Sequence, residues 1–459
     1  MFEPGRSLHR LALPLLCALL LCVLAFSISP PIARAQQNPA ANFQFTKADL
    51  SLLDNANAMD SDYEQKGFIF HDPGVQAYLD AVGKRVLGDR PTPEHVTWRF
   101  MVLDNPAVNA FAEPNGSVYV TIGLIGLLQN QAQLAAVLSH ETAHVYERHT
   151  FLEDRSVRKK AVLADILAAA GAATLGGAAL TVAGASIAGQ LILVESVYGY
   201  SREMEQQADS DGIVALAAAG YDPRAMAATF QLLDQDSTLE YEPHPTFYHD
   251  HPRFKLREAA AATYIDAHPG PPGEEGSEQE YLAAFAPVIA FDVQVDIEDR
   301  KARTAVARAT RLVSAFPENP DYELLLGQAY RELGAKTALP TADELTDEGA
   351  NRERKDVLKL TEEQEQQKLA STPEGRATLQ QNQAAAEKLF LAVIHDRPDD
   401  ALAYRELGFL YEDESRFADA SANYQRYLQL VDNTSLDRLR IERRLADCQS
   451  RQSQGGKSQ

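Results

Sequence analysis

Residues 138–149 read LSHETAHVYERH, which sets His140 and His144 four apart with Glu141 beside the first. Four residues of α-helix turn through about 400°, so the two imidazoles leave one face about one turn apart and can grip a single ion. Glu141 points one step further round. It would not share that ion but can act as a base on an attacking water. The run before it, QAQLAAVLS (131–139), is helix-forming and supports this placement. A helix surface with incidental histidines is the plain alternative, and it is separated from a metal site by what lies downstream.

Two histidines leave zinc short of its usual three protein ligands, so a further carboxylate or histidine is required. YSREMEQQADSDG (200–212) supplies Glu205 and Asp209, again four apart on one helical face. One of the pair can bind metal while the other accepts a hydrogen bond from a ligand histidine. GYDP (220–223) closes the segment with a turn signal. Ahead of the histidines the pattern predicts a helix over 75–87, a strand over 97–103 and a strand over 117–121 that follows the turn EPNG. This is α+β order, mostly helical with a small sheet. The strand at 118–121 is read as an edge to which an extended substrate adds.

The chain has 459 residues, enough for two or three domains with their own cores. Its first 35 residues carry Arg6 and Arg10, an apolar run from Leu11 to Phe26 and the small-residue stretch ARA (33–35), the signature of a cleavable signal peptide. Loss of that segment moves the formal charge from −22 to −24, because it removes Arg6, Arg10, Arg34 and Glu3. So acidic a secreted chain is a poor partner for nucleic acid. Of the three cysteines only Cys448 lies beyond the signal, which excludes an internal disulfide. Residues 36–70 read as an N-terminal linker segment.

Residues 161–194 hold a single charge, Asp165, in a run of Ala, Gly, Leu, Val and Ile. One membrane crossing there would part Glu205 from His140 and His144. The run is therefore read as a helical hairpin broken near Gly176 and Gly177, packed on the cleft or in peripheral contact with a membrane. PGPPGEEGSEQE (269–280) reads as a flexible linker that ends a peptidase domain over 71–268. Beyond it YRELGFLY (404–411), Ala420, Tyr424 and Tyr427 follow the tetratricopeptide pattern. LGQAY (326–330) repeats the first helix of that unit, and Ala386, Phe390 and Val393 supply its second helix after an insertion over 335–383. An all-α repeat domain thus spans 281–450, with a capping helix near 435–450 and a disordered tail over 451–459.

Over about residues 70–268 the chain resembles the zinc metallopeptidase family that includes HtpX and the CaaX prenyl proteases. NAFAEPNGSVYVTIGL (109–124), HETAH (140–144), SREMEQQAD (201–209) and HPRFKLR (251–257) carry the resemblance. It implies one zinc ion held by His140, His144 and Glu205, with Glu141 as general base and Asp209 as partner of a ligand. It also places a functional histidine and arginine at His251 and Arg257, which are candidate donors to a developing oxyanion. His244, His249 and His251 crowd one loop, and one of them can cap the metal and hold the enzyme latent. His149 reads as a helix-end residue.

A secreted peptidase of this kind with helical repeats is similar in architecture to the β-barrel assembly-enhancing proteases of the Gram-negative periplasm. That similarity implies unfolded or misassembled envelope proteins as substrates. It also implies an envelope protein complex, such as the outer-membrane assembly machinery, as the partner of the repeats. A binding or chaperone module with a largely latent peptidase is the alternative.

Overall fold

The helix α2, Pro73–Leu87, begins where Asp72 accepts hydrogen bonds from the backbone N–H of Gly74 and Val75 and Pro73 pre-sets φ. It ends at Gly88, whose φ of 55° stops it. Val75, Leu79, Val82 and Val86 line its buried face. The computed structural model describes residues 43–159, 200–239, 254–270, 272–336, 362–432, 435 and 437–455. The signal segment 1–35, the apolar run 161–194 and the histidines His244, His249 and His251 lie outside the described residues. Among the described residues no helix is long and apolar enough to cross a membrane.

The N-terminal segment read as a linker contains a 20-residue helix, α1, Lys47–Lys66. Its apolar side, Met59 and Tyr63, packs with Ile69, Leu103 and Tyr119 on the sheet. Its Asp60 accepts hydrogen bonds from Asn115, Ser117, Tyr119 and Arg99. Polar spacing along α1 hides this role, because a carboxylate meeting four donors is visible only once the strands are in place.

Three strands form the sheet: β1 Arg99–Leu103, β2 Ala110–Ala112 and β3 Ser117–Thr121, in the order β1-β3-β2. β3 pairs in parallel with β1 and antiparallel with β2, so it is the interior strand and cannot take a substrate as an added strand. The expected edge at 118–121 is thereby corrected. All five residues of β3 are buried, as an interior strand of continuous apolar character requires. Helix α3, Ile122–Leu127, follows directly and leads into α4, Gln131–Tyr146. α5 is Arg202–Ala218, α6 Arg224–Leu239 and α7 Phe254–Ala267.

The boundary expected at 269–280 does not separate two bodies. Glu274 donates to Gly220 O and accepts from Asp222 N, while Glu275 O accepts from Ala132 N. A Cβ on Gly273 would lie 2.1 Å from the Tyr221 carbonyl carbon, so this segment is pressed against the turn after α5. Helices α8, Glu278–Glu298, α9, Ala302–Ala315, and α10, Pro320–Leu333, follow. Phe285, Ile289 and Val293 of α8, Leu312 of α9 and Leu333 of α10 share one hydrophobic core with Val82, Val120 and Leu138. The residue types in 269–280 suggested flexibility, but their backbone groups are spent on the peptidase fold.

Polar contacts reinforce that junction. Arg308 on α9 pairs with Asp292 and Asp296 of α8 at 2.5 Å each and donates to Gly123 O at 2.9 Å. Arg311 donates to Gly126 O and Leu128 O, and Tyr281 to Ile125 O. Four carbonyls in and after α3 are thus met from α8 and α9. Burial pushes the Asp292 carboxyl up, and the Arg308 charge opposes it.

A second core begins on α10, where Leu324 joins Ala386, Phe390 and Val393 of α12, Pro373–Asp396. α11, Glu362–Ser371, precedes α12, so residues 362–371 and 373–383 of the 335–383 insertion are helical. α13, Ala401–Asp413, and α14, Phe417–Leu430, form the next hairpin around Leu407, Leu410, Ala420 and Tyr424. α15, Arg438–Gly455, closes this core with Ile441 and Cys448, and it carries helix into the stretch expected to be a disordered tail.

A chain cut after residue 268 is expected to aggregate, whereas one ending at residue 336 should unfold in a single cooperative transition in urea. A stable, monomeric 47–268 fragment would contradict the shared core. Arg308→Met should lower stability by about 3–5 kcal/mol, because it leaves Asp292 and Asp296 buried without their cation; a change below about 1 kcal/mol in the same titration would contradict that reading.

Candidate metal centre

Asn130 starts α4 by accepting from the N–H of Gln133 at 3.0 Å. From Ala132 to Val145 every residue of α4 is buried, histidines and glutamate included. This helix is a central rod, with α2, α5, α6 and the sheet packed around it. On it the Nε2 atoms of His140 and His144 lie 3.0 Å apart.

Ser201 caps α5, and Glu205 and Asp209 then face α4 from successive turns. Gly212, one turn further, permits the approach: a Cβ there would come within 3.2 Å of His140 N and 3.3 Å of its Cα. With the helices this close, Glu205 Oε1 lies 3.4 Å from His144 Nε2 and Oε2 lies 3.8 Å from His140 Nε2. Asp209 Oδ1 is 3.0 Å from His140 Nδ1. Glu205 therefore meets the histidine edges that face each other, while Asp209 meets the far edge of one ring. Of the two carboxylates that spacing left open, Glu205 is the one turned toward both rings.

One ligand atom each from His140, His144 and Glu205 lie within 4.8 Å of one another. The set fits a metal ion. A ligating imidazole at about 2.0–2.1 Å and a carboxylate at about 2.0–2.2 Å from a tetrahedral zinc would bring these atoms about as close as they are here. Asp209 takes the Nδ1–H of a neutral His140, which leaves the Nε2 lone pair aimed into the cluster. A lone pair held 3.0 Å from a second imidazole nitrogen and near a carboxylate is a place for a cation.

Arg257 on α7 binds Asp209 through two nitrogens, Nη2 at 2.6 Å and Nε at 3.0 Å, and Glu205 through Nη1 at 3.1 Å. Its guanidinium also lies over the Phe230 ring at 4.3 Å. Burial opposes its charge, but Asp209, Glu205 and Glu141 outweigh that effect and hold it protonated. For Asp209, burial raises the carboxyl, and the Arg257 charge with hydrogen bonds from His140 and Arg257 overcomes this and keeps it well below the usual carboxylate range. Arg257, expected as an oxyanion donor, meets the two carboxylates with all three of its guanidinium nitrogens. Its nitrogens are turned onto the two carboxylates, so it positions them. Glu141 is buried beside His140 on α4. His251, expected nearby, lies outside the described residues.

Two residues were not legible as part of this centre. Tyr200 stacks on the His144 ring, with centroids 4.0 Å apart and planes 24° apart, and its hydroxyl lies 3.0 Å from Thr150 Oγ1. His149, read as a helix-end residue, is buried with its Nδ1 3.0 Å from His144 Nδ1, and burial lowers its pKa to about 4. Arg148 accounts for this: its φ of 59° breaks the helical path after α4, and residues 149–159 resume as helix. Sequence spacing carries no sign of a left-handed arginine. A cavity of about 570 Å³ opens beside the centre, with Tyr200, Glu205, Leu256 and Arg257 in its wall.

Residues 73–266, which contain all of these side chains, match peptidase family M48. Over these residues the chain is similar to the M48 peptidases. The β-barrel assembly-enhancing protease of Yersinia pestis is 30% identical to the chain over 229 residues, which are 47% of this chain and 44% of that protein. The protein of that name from Escherichia coli K12 is 30% identical over 201 residues, 42% and 39% of the two chains. The mitochondrial metalloendopeptidase OMA1 of Schizosaccharomyces pombe is 29% identical over 157 residues, 34% and 43%. The chain spans less than half the length of these relatives. The M48 match ends at residue 266, but the core that supports the domain runs on to Leu333.

Asp209→Ala should weaken metal binding about 10–100-fold in a chelator competition, since His140 loses the acceptor that orients it. An affinity equal to that of the unaltered chain would separate Asp209 from the metal centre.

Proposed function

We propose that the chain is a zinc-dependent endopeptidase of the bacterial periplasm, delivered by a cleavable signal over 1–35, that cuts unfolded or misassembled envelope proteins. The observation that carries this reading is the buried convergence of His140, His144 and Glu205, with Glu141 on the same helix. Zinc bound there would supply a Lewis acid that polarises the scissile carbonyl and makes water acidic near neutral pH. Glu141 takes the proton of the attacking water and returns it to the departing amine nitrogen. Arg257 and Asp209 keep Glu205 and His140 in place during the reaction.

Substrate backbone is taken up along β2. Glu113 N donates to Ser117 O and Thr121 N to Asn109 O, so hydrogen-bonded pairs recur at every second residue. In that alternation Phe111 faces Tyr119, and the N–H and C=O groups of Ala110 and Ala112 point away from β3. An extended peptide paired there lies in the layer next to α4. Pairing of this kind reads backbone more than side chains, which suits unfolded clients.

The helical hairpins after Leu333 are proposed to follow the tetratricopeptide pattern and to bind an envelope protein complex. The name of the Yersinia and Escherichia relatives points to β-barrel assembly as the setting. A client-binding chaperone with an idle peptidase makes the opposite prediction for Glu141. Glu141→Gln should keep its metal while turnover of an unfolded reporter protein falls about 10²–10⁴-fold. Undiminished cleavage would remove the base, and loss of metal would make Glu141 a ligand. Ala112→Pro should lower kcat/KM on the same reporter by about tenfold or more with metal content unchanged, because it removes one outward N–H and spares the pairing with β3. Equal kinetics would move the substrate elsewhere.

A further inference from the structure

We propose that His149 is a positioning residue that fixes the tautomer of His144, through a half-buried chain that runs from Glu147 by way of Gln207. This inference rests on the metal-centre reading and deepens it. The chain's polarity follows from one end. Gln207 Nε2 lies 2.6 Å from Glu147 Oε2, and only the amide NH₂ can face a carboxylate. The amide oxygen of Gln207 is therefore the atom turned toward His149, 3.4 Å from its Nε2. An acceptor there draws the single proton of a neutral His149 onto Nε2, so Nδ1 carries the lone pair. Across 3.0 Å stands His144 Nδ1, which must then be the donor. A neutral His144 with its proton on Nδ1 presents a bare Nε2 to Glu205 and His140, as a metal ligand must.

The arrangement is built rather than incidental. His144 and His149 are both buried, so water does not compete for either Nδ1. Tyr200 lies flat on the His144 ring and keeps it from rotating out of the line. The turn at Arg148 places the second imidazole where a helix continued past Tyr146 would carry it away. The two ligand histidines thus differ in what steadies them. His140 gives its Nδ1–H to the carboxylate of Asp209, itself neutralised by Arg257, and His144 gives its own to a neutral ring. The second device orients a ligand without adding a further buried negative charge to a centre that already holds Glu141, Glu205 and Asp209.

The test is a zinc-chelator competition on the full chain, stripped of metal and reloaded, for the unaltered protein and for His149→Phe, His149→Asn and Gln207→Leu. Phenylalanine fills the space of the ring without an acceptor, while asparagine sets its carbonyl oxygen where Nδ1 was. His149→Phe should lose zinc affinity about 10–100-fold, His149→Asn should stay within a few-fold of the unaltered chain, and Gln207→Leu should fall between them. Urea midpoints of the stripped proteins report folding separately, and a phenylalanine variant that does not fold leaves the comparison to asparagine and Gln207→Leu. Equal affinities across the set would overturn the proposal. So would equal losses for phenylalanine and asparagine, which would make His149 a packing residue. An unaltered chain that takes up no zinc would remove the metal centre itself, and this inference with it.

Discussion

A guanidinium buried between two carboxylates is the constraint on which the rest of the structure depends. Asp209 and Glu205 must lie within hydrogen-bonding distance of two imidazoles, and carboxylates taken out of water are costly unless paired and hydrogen-bonded. Arg257 meets that requirement from α7, and α7 is packed on α6, which lies against the catalytic helix. Gly212 then lets α5 close on α4 until the four side chains meet. Remove the arginine, and Asp209 and Glu205 lose the cation that pairs with both. The site is thus assembled from three helices, none of which could hold it alone.

That dependence explains why the helices after residue 277 belong to the peptidase core. α4 is buried on every side, so the fold needs apolar surface around a whole cylinder rather than along one stripe. α8, α9 and α10 supply part of it and also meet the carbonyls of α3, which leads into the catalytic helix. α10 then turns Leu324 to the second core while Leu326, Ala329 and Leu333 stay in the first. A partner held by the C-terminal hairpins would sit on helices joined to the active site by packing and not by a tether.

Much of the centre was legible in the sequence because α-helical spacing is local. His140 with His144, and Glu205 with Asp209, each repeat every four residues, and no long-range information is needed to place each pair on one face. The small sheet, α2 and the interrupted hairpin around Phe390 were legible for the same reason. What was not legible depends on contacts between distant segments. The acceptor role of Asp60 needs α1 laid across β1 and β3. The central position of β3 needs β2, three residues long and too short to announce itself. Gly273 and Glu274 lie in a stretch whose composition reads as linker, yet they are pinned by Tyr221 and Gly220. His149 returns to the site only through the positive φ of Arg148.

The proposed function requires that two imidazoles and one carboxylate, held by Arg257, form a single zinc site. Metal content of the purified full chain, set beside that of Glu205→Gln under the same dialysis, tests it most directly. One zinc per unaltered chain and a large loss in the variant are expected, because a neutral amide is a poor ligand for this cation. Equal zinc in both proteins, or none in either after reloading, would contradict it.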